Sequence, residues 1–137
     1  MSTPKLYIIA GCNGAGKTTA SMSVLPEVLD CREFVNADEI AKGYQVILLF
    51  FWLSSPEMAE MRVAQRVASG GHNIPKVVIH RRYWAGLRNL FEIFVPIVDL
   101  WSIYDNTKEL IPIVERSKIT NAPLFTKIKE SCQNRKK

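Results

Sequence analysis

Apolar runs alternate along the chain with segments whose apolar residues recur at helical spacing. The segments 5–10, 33–38, 44–53 and 100–106 are short and apolar, and each is predicted to be a strand. The run 44–53 has no alternation of polar and apolar residues, which indicates burial on both faces. Helices are predicted over 16–25, from Ser54 or Ser55 to Gly70, from Asn73 and Pro75 to Pro96, and over 121–131. This order predicts a single α/β domain over 1–137, with a mainly parallel sheet flanked by helices.

One predicted connection is too short for that fold. The strand that ends near Asn36 and the strand that begins near Tyr44 are separated by seven residues, Ala37–Gly43. A crossover between neighbouring parallel strands needs roughly 10–12 residues. Three explanations are open: the two strands pair antiparallel, they are not neighbours, or a crossover segment is missing between positions 43 and 44.

Composition narrows the class of partner. The formal net charge is +5, which favours anions such as nucleotides, while nothing beyond this charge points to nucleic acid. The chain has three cysteines and no CxxC motif, so neither a disulfide framework nor a zinc site is indicated. The N-terminal residues do not have the pattern of a signal peptide, and the run 46–53 is too short to span a bilayer. We therefore expect a cytoplasmic protein without membrane contact.

The stretch "AGCNGAGKTT" follows the first predicted strand and precedes a predicted helix. Its spacing matches G-x-x-x-x-G-K-[ST], a loop whose backbone N–H groups surround phosphates at a helix N-terminus. Lys17 would bridge the outer phosphates of ATP, and the Thr18 hydroxyl would bind Mg²⁺. The other interpretation is a chance glycine turn. The candidate nucleotide-binding residues are Gly11, Asn13, Gly14, Ala15, Gly16, Lys17, Thr18 and Thr19.

Charged residues elsewhere could complete such a site. Asp38, after the strand 33–38, could accept a proton from a substrate hydroxyl or help to hold Mg²⁺, or it could cap the turn that follows. Arg62 and Arg66 share a helix face, and neither they nor Arg81 and Arg82 have a carboxylate three or four residues away. These arginines could form a helical lid over the γ-phosphate. They could equally form a solvated basic face.

The assembled motifs resemble the zeta toxin-like P-loop kinases. The matching blocks are "YIIAGCNGAGKTT", "NADEIA", "VILLFFWLSSPEMAEMRVAQRV", "GGHNIPKVVIHRRY" and "LWSIYDN", from about Lys5 to Asn106. The resemblance implies an adenylate-kinase-like α/β fold and transfer of the ATP γ-phosphate to a small-molecule hydroxyl, such as that of a UDP-amino sugar. It also implies an antitoxin protein as a candidate partner.

The same resemblance assigns roles to single residues. Lys17 and Thr18 match the lysine and threonine of the phosphate loop, and Asp38 matches the acid proposed to deprotonate the sugar hydroxyl. Arg66, with Arg81 or Arg82, resembles the lid arginines that hold the γ-phosphate. We therefore expect Lys17, Asp38, Arg66, Arg81 and Arg82 to be the catalytic residues and Thr18 to be the metal ligand.

The chain departs from the family pattern at one place. Between "NADEIA" and "YQVILLFFWL" the family carries a helix, a strand with an "ETT"-like motif and a second helix, whereas here Tyr44 directly follows Gly43. This is the connection that is also too short on geometric grounds. A second interpretation is therefore an internally shortened protein that binds nucleotide, or only a partner, without catalysis.

Overall fold

The computed structural model describes residues 3–17 and 43–134. Within these residues the strands form one mixed sheet, in the order β1-β2-β3-β4-β5. The first three strands are β1 (Lys5–Gly11), β2 (Gln45–Trp52) and β3 (Leu100–Asp105). β2 lies between β1 and β3 and is parallel to both, in a register that pairs Gly11 with Phe51 and Trp52 with Asp105. The α/β class and the three parallel strands are confirmed.

The central strand β2 forms the middle of the core. Leu48 through Trp52 are all buried, as the run of apolar residues without alternation predicts. The Phe51 ring stacks on the Tyr104 ring of β3, with the ring centroids 5.6 Å apart. The parallel register of β2 with both neighbours brings the carboxyl ends of the three strands to one edge of the sheet.

Two helices follow β2, and the residues at which they begin agree closely with the sequence pattern. Helix α1 (Pro56–Ala68) begins after Ser55, whose hydroxyl accepts a hydrogen bond from the Met58 N–H at 3.2 Å. Helix α2 (Lys76–Asn89) follows the loop 69–75 and packs against α1. The two helices are also joined by a polar contact, with 3.2 Å between Nε2 of His80 and Oε1 of Glu60.

The prediction that Pro96 ends the second long helix needs a correction. α2 continues into a π-helical turn (Leu90–Phe94) and the short helix α3 (Val95–Ile97), one residue beyond the proline. The Val95 N–H bonds to the Leu90 carbonyl, five residues back. Such a wide turn lets the helix pass a residue that has no N–H to donate.

The hairpin after β3 was not predicted. It consists of β4 (Ile111–Glu115), antiparallel to β3, and β5 (Lys118–Ile119), antiparallel to β4. Its two-residue turn has Arg116 at φ 49° and Ser117 at φ 67°, a conformation usually signalled by Asn-Gly or Asp-Gly. The buried Ser102 hydroxyl of β3 accepts from the Arg116 N–H at 3.0 Å and supports this turn. The support comes from another strand, so the local sequence does not reveal it.

The last helix, α4 (Ala122–Asn134), covers part of the sheet. The Asn121 side chain accepts from the Leu124 N–H at 3.2 Å, which confirms the predicted cap. The Phe125 ring contacts both Trp101 of β3 and Phe91 of the π-helical turn, each at a centroid distance of 5.9 Å. Helix α4 therefore links the helical segment after β2 to the sheet.

Two further predictions concern residues 18–42, which lie outside the described residues. They are the predicted strand 33–38 and all but the start of the predicted helix 16–25. The seven-residue connection, apart from its last residue Gly43, falls there as well. Among the described residues, no helix is both long and apolar enough to cross a membrane.

Candidate anion-binding site at the carboxyl edge of the sheet

The turn that follows β1 is tight. The Ala15 N–H donates to the Cys12 carbonyl at 3.1 Å, and Gly14 and Gly16 have φ values of +80° and +76°. These angles strain any residue with a Cβ. A Cβ on Gly16 would lie 2.7 Å from Nδ2 of Asn106, so space as well as backbone angle requires glycine.

Neighbouring elements hold the carbonyl groups of this turn. Nδ2 of Asn106 donates to the Ala15 carbonyl at 2.8 Å, and Nη1 of Arg62 donates to the Gly14 carbonyl at 3.3 Å. In a trans peptide the C=O and the next N–H point in opposite directions. The Gly16 N–H therefore points away from Asn106. The turn presents a backbone donor on the side opposite to its supporting side chains.

A cavity of about 470 Å³ opens between this turn and helix α1. Its lining residues are Asn13, Gly14, Ala15, Gly16, Lys17, Arg62, Gln65, Arg66 and Ser69. The described lining therefore carries three cations and no carboxylate. Nζ of Lys17 donates to the Gly11 carbonyl at 3.2 Å, so its ammonium group stays at the turn. This combination of backbone donors and cations suits an anion.

The two adjacent arginines of α2 lie in different places. Nη1 of Arg82 donates to Oδ1 of Asn13 at 3.1 Å, which brings its charge to the turn. Arg81 lines a separate cavity of about 180 Å³, together with Trp84, Arg88 and Cys132. Successive residues on a helix point about 100° apart, so adjacent side chains cannot both face the turn. Of these two arginines, Arg82 is therefore the one that contacts the turn.

The glycine-rich loop after α1 ends that helix close to Arg66. The N–H of Gly71 donates to the Arg66 carbonyl at 2.7 Å, and Gly70 has φ +99°. Helix α1 thus ends within one turn of Arg66, whose side chain lines the cavity. His72 of the same loop is exposed.

Three of the predicted site residues lie outside the described residues: Thr18, Thr19 and Asp38. The sequence pattern also missed the role of two others. Arg62, which has no carboxylate three or four residues away, donates to backbone carbonyls instead, and Asn106 supports the turn through its side chain. The spacing of Arg62 and Arg66 indicated that they share a helix face. It could not indicate which backbone carbonyls Arg62 contacts, because every residue has a carbonyl.

Cys12, inside the turn, is a packed side chain. It is 8% exposed, and burial raises the pKa of its thiol to about 11. The thiol is therefore protonated at neutral pH, which argues against a reactive or redox cysteine.

Nearby, the Tyr83 hydroxyl of α2 donates to the Leu53 carbonyl at 2.6 Å and fixes α2 against the end of β2. Burial also raises the pKa of Tyr83.

Taken together, the fold and the site describe an α/β protein with a cationic cavity at the turn after β1. Comparison of the chain with known proteins finds no matching family model, no matching curated protein and no matching solved structure. The chemistry of this cavity and the sequence motifs are therefore the features that indicate a function.

The contact between Gly16 and Asn106 can be tested with two matched substitutions. Gly70→Ala places a Cβ at φ +99° in open space, and it should cost about 1–2 kcal/mol of stability through backbone strain alone. Gly16→Ala has similar strain, and it must also displace the Asn106 amide, which should add about 1 kcal/mol. Urea unfolding at neutral pH measures both. Equal losses in the free energy of unfolding for the two variants would contradict the close packing at Gly16.

Proposed function

We propose that this protein is an ATP-dependent kinase of the zeta toxin type, which transfers the γ-phosphate to a small-molecule hydroxyl. The observation that carries the proposal is the cavity between the glycine turn and α1, with Lys17 and Arg66 in its lining and Arg82 at Asn13. These are the positions at which the sequence motif and the family resemblance predict phosphate ligands.

In this function the turn would bind the phosphates of ATP. Backbone N–H groups and Lys17 would neutralise the phosphate oxygens, and Arg66 and Arg82 would stabilise charge on the transferring phosphoryl group. Because the cations are already placed by α1, α2 and the turn, little reorganisation would be needed on binding. Such preorganised charge is the main source of catalysis in phosphoryl transfer.

A magnesium ion fits this chemistry without a cluster of carboxylate ligands from the protein. The described residues contain no group of three His, Cys, Asp or Glu side chains that could hold a metal. Mg²⁺ in such sites takes most of its ligands from phosphate and water, and few from protein. Thr18 would supply the one hydroxyl ligand, and the ion would neutralise charge on the phosphates.

The acceptor and partner follow from the resemblance. Asp38 would take the proton from the acceptor hydroxyl, and a UDP-amino sugar is the acceptor that the family suggests. An antitoxin protein would be the natural inhibitor of such an activity. Expression in the cytoplasm would give the enzyme both ATP and the sugar nucleotide.

A second candidate function is nucleotide binding without transfer. Two observations favour it: the described lining of the cavity has no carboxylate, and the connection Ala37–Gly43 is too short for a parallel crossover. In that case the cations would bind ATP and nothing would activate an acceptor.

Nucleotide binding is tested by removing Lys17. We expect Lys17→Ala to weaken the binding of Mg²⁺-ATP about 10- to 100-fold, because it deletes charge-assisted contacts to phosphate. Lys127→Ala removes an exposed lysine of α4 outside the cavity lining and is the matched control. Titration calorimetry measures both. Wild-type affinity in Lys17→Ala would refute both candidate functions.

Catalysis is tested by removing the proposed base. We expect wild-type protein to transfer the labelled γ-phosphate of ATP to a UDP-amino sugar, and Asp38→Asn to reduce kcat about 10²- to 10⁴-fold with ATP binding retained. Product formation is followed by chromatography. A wild-type chain that binds ATP but transfers no phosphate to any sugar nucleotide in a screen would favour the second candidate.

The neighbouring arginines provide a test of the geometry. Arg82→Gln should weaken Mg²⁺-ATP binding about fivefold, because its side chain reaches the turn. Arg81→Gln removes the same charge from the next residue, in a separate cavity, and should change the affinity by less than about twofold. The same calorimetric titration reports both values. A larger effect of Arg81→Gln would contradict this placement of α2.

A further inference from the structure

Arg62 contacts backbone rather than acidic side chains. Its Nη1 donates to the Gly14 carbonyl at 3.3 Å, and its Nη2 donates to the carbonyls of Asn106 and Thr107 at 2.7 and 2.9 Å. One guanidinium thus joins helix α1, the turn after β1 and the loop after β3. These segments are more than forty residues apart in sequence.

Asn106 closes the same network from the other side. Its N–H donates to the Trp52 carbonyl at 2.9 Å and its Nδ2 donates to the Ala15 carbonyl at 2.8 Å, while its own carbonyl accepts from Arg62. The backbone of Asn106 is therefore fixed to the end of the central strand β2. Because its side chain donates to the Ala15 carbonyl, the turn is held in a fixed place relative to β2.

The loop after Asn106 is anchored as well. The Thr107 hydroxyl accepts from the Ser54 N–H at 3.0 Å, and the Asp105 carboxylate accepts from the Thr107 N–H at 2.9 Å. The carbonyls that accept hydrogen bonds from Arg62 therefore belong to two backbone segments that are themselves held by hydrogen bonds. One segment follows β1 and the other follows β3. A cation held by several fixed carbonyls has little freedom to leave them for another ligand.

We propose that Arg62 and Asn106 are positioning residues, which hold the turn Gly11–Lys17 in its anion-binding shape before any anion arrives. This inference rests on the proposed function and deepens it, since it assigns a role to two residues that do not themselves need to touch phosphate. Arg62 polarises the peptide between Gly14 and Ala15, which strengthens the Ala15 N–H bond to Cys12. Asn106 fixes the Ala15 carbonyl and so keeps the Gly16 N–H pointing away from itself.

The proposal separates Arg62 from a γ-phosphate ligand, although both would line the same cavity. A ligand of the γ-phosphate contributes to ATP binding and not to ADP binding. A residue that shapes the turn contributes to both, because the turn would surround phosphates that the two nucleotides share. The ratio of the two affinity losses therefore distinguishes the roles.

The first measurement needs no nucleotide. Hydrogen–deuterium exchange of the amides in residues 12–17 is compared between wild type, Arg62→Lys and Asn106→Asp. Lysine keeps the charge but cannot reach both sides of the network, and aspartate keeps the shape but loses the donor to Ala15. We expect exchange about tenfold faster in both variants. Unchanged exchange in both would overturn the proposal.

The second measurement is nucleotide affinity by calorimetry. Arg62→Lys and Asn106→Asp should weaken Mg²⁺-ATP and Mg²⁺-ADP by the same factor, about tenfold. Arg66→Gln is the comparison variant and should weaken ATP more than ADP. If Arg62→Lys loses ATP affinity selectively, Arg62 is a phosphate ligand and the proposal is wrong.

Failure of the proposed function is distinguishable from failure of this inference. If wild-type protein binds neither nucleotide, the proposed function is wrong, and the exchange measurement alone decides whether Arg62 and Asn106 hold the turn. If exchange rises in both variants while both nucleotide affinities stay at the wild-type value, the network shapes the turn without serving binding, and the inference fails. Circular dichroism verifies that each variant is folded, and either variant suffices should the other not fold.

Discussion

The candidate site depends on where the carbonyl groups of one turn are held. Arg62 and Asn106 bind the carbonyls of Gly14 and Ala15, and a trans peptide then directs the Gly16 N–H to the opposite side. This arrangement requires β1, β2 and β3 to end at the same edge of the sheet, which their parallel register ensures. The buried core of β2 therefore contributes to the site, although none of its core side chains lines the cavity.

The same contacts explain how several cations can lie close together at the cavity and the adjoining turn. Arg62 is stabilised by three backbone carbonyls, while Lys17 donates to the Gly11 carbonyl and Arg82 to the Asn13 side chain. Neutral acceptors stabilise a cation without cancelling its charge. The cavity consequently keeps a positive potential that a carboxylate partner would remove, and an anion is the ligand that this potential favours.

Much of the fold could be predicted because its signals are local. The strands β1 to β3 and the capped helix α1 follow from short apolar runs and from single residues such as Ser55. The hairpin could not be predicted in this way, because its Arg116–Ser117 turn is stabilised by Ser102 of another strand. The glycine turn was equally visible in the sequence. The partners of Arg62 were not, since every residue has a carbonyl and only the fold selects which ones approach.

The spacing of Arg62 and Arg66 has a consequence for how the site is built. Residues four apart lie on one helix face, about 6 Å along the axis, so a single helix can place one arginine on the turn and the next one at the cavity. Helix α1 is also joined to α2 by the polar contact between Glu60 and His80, and α2 carries Arg82 to the turn. Both helices therefore act on the turn together, because a displacement of either would move an arginine that contacts it.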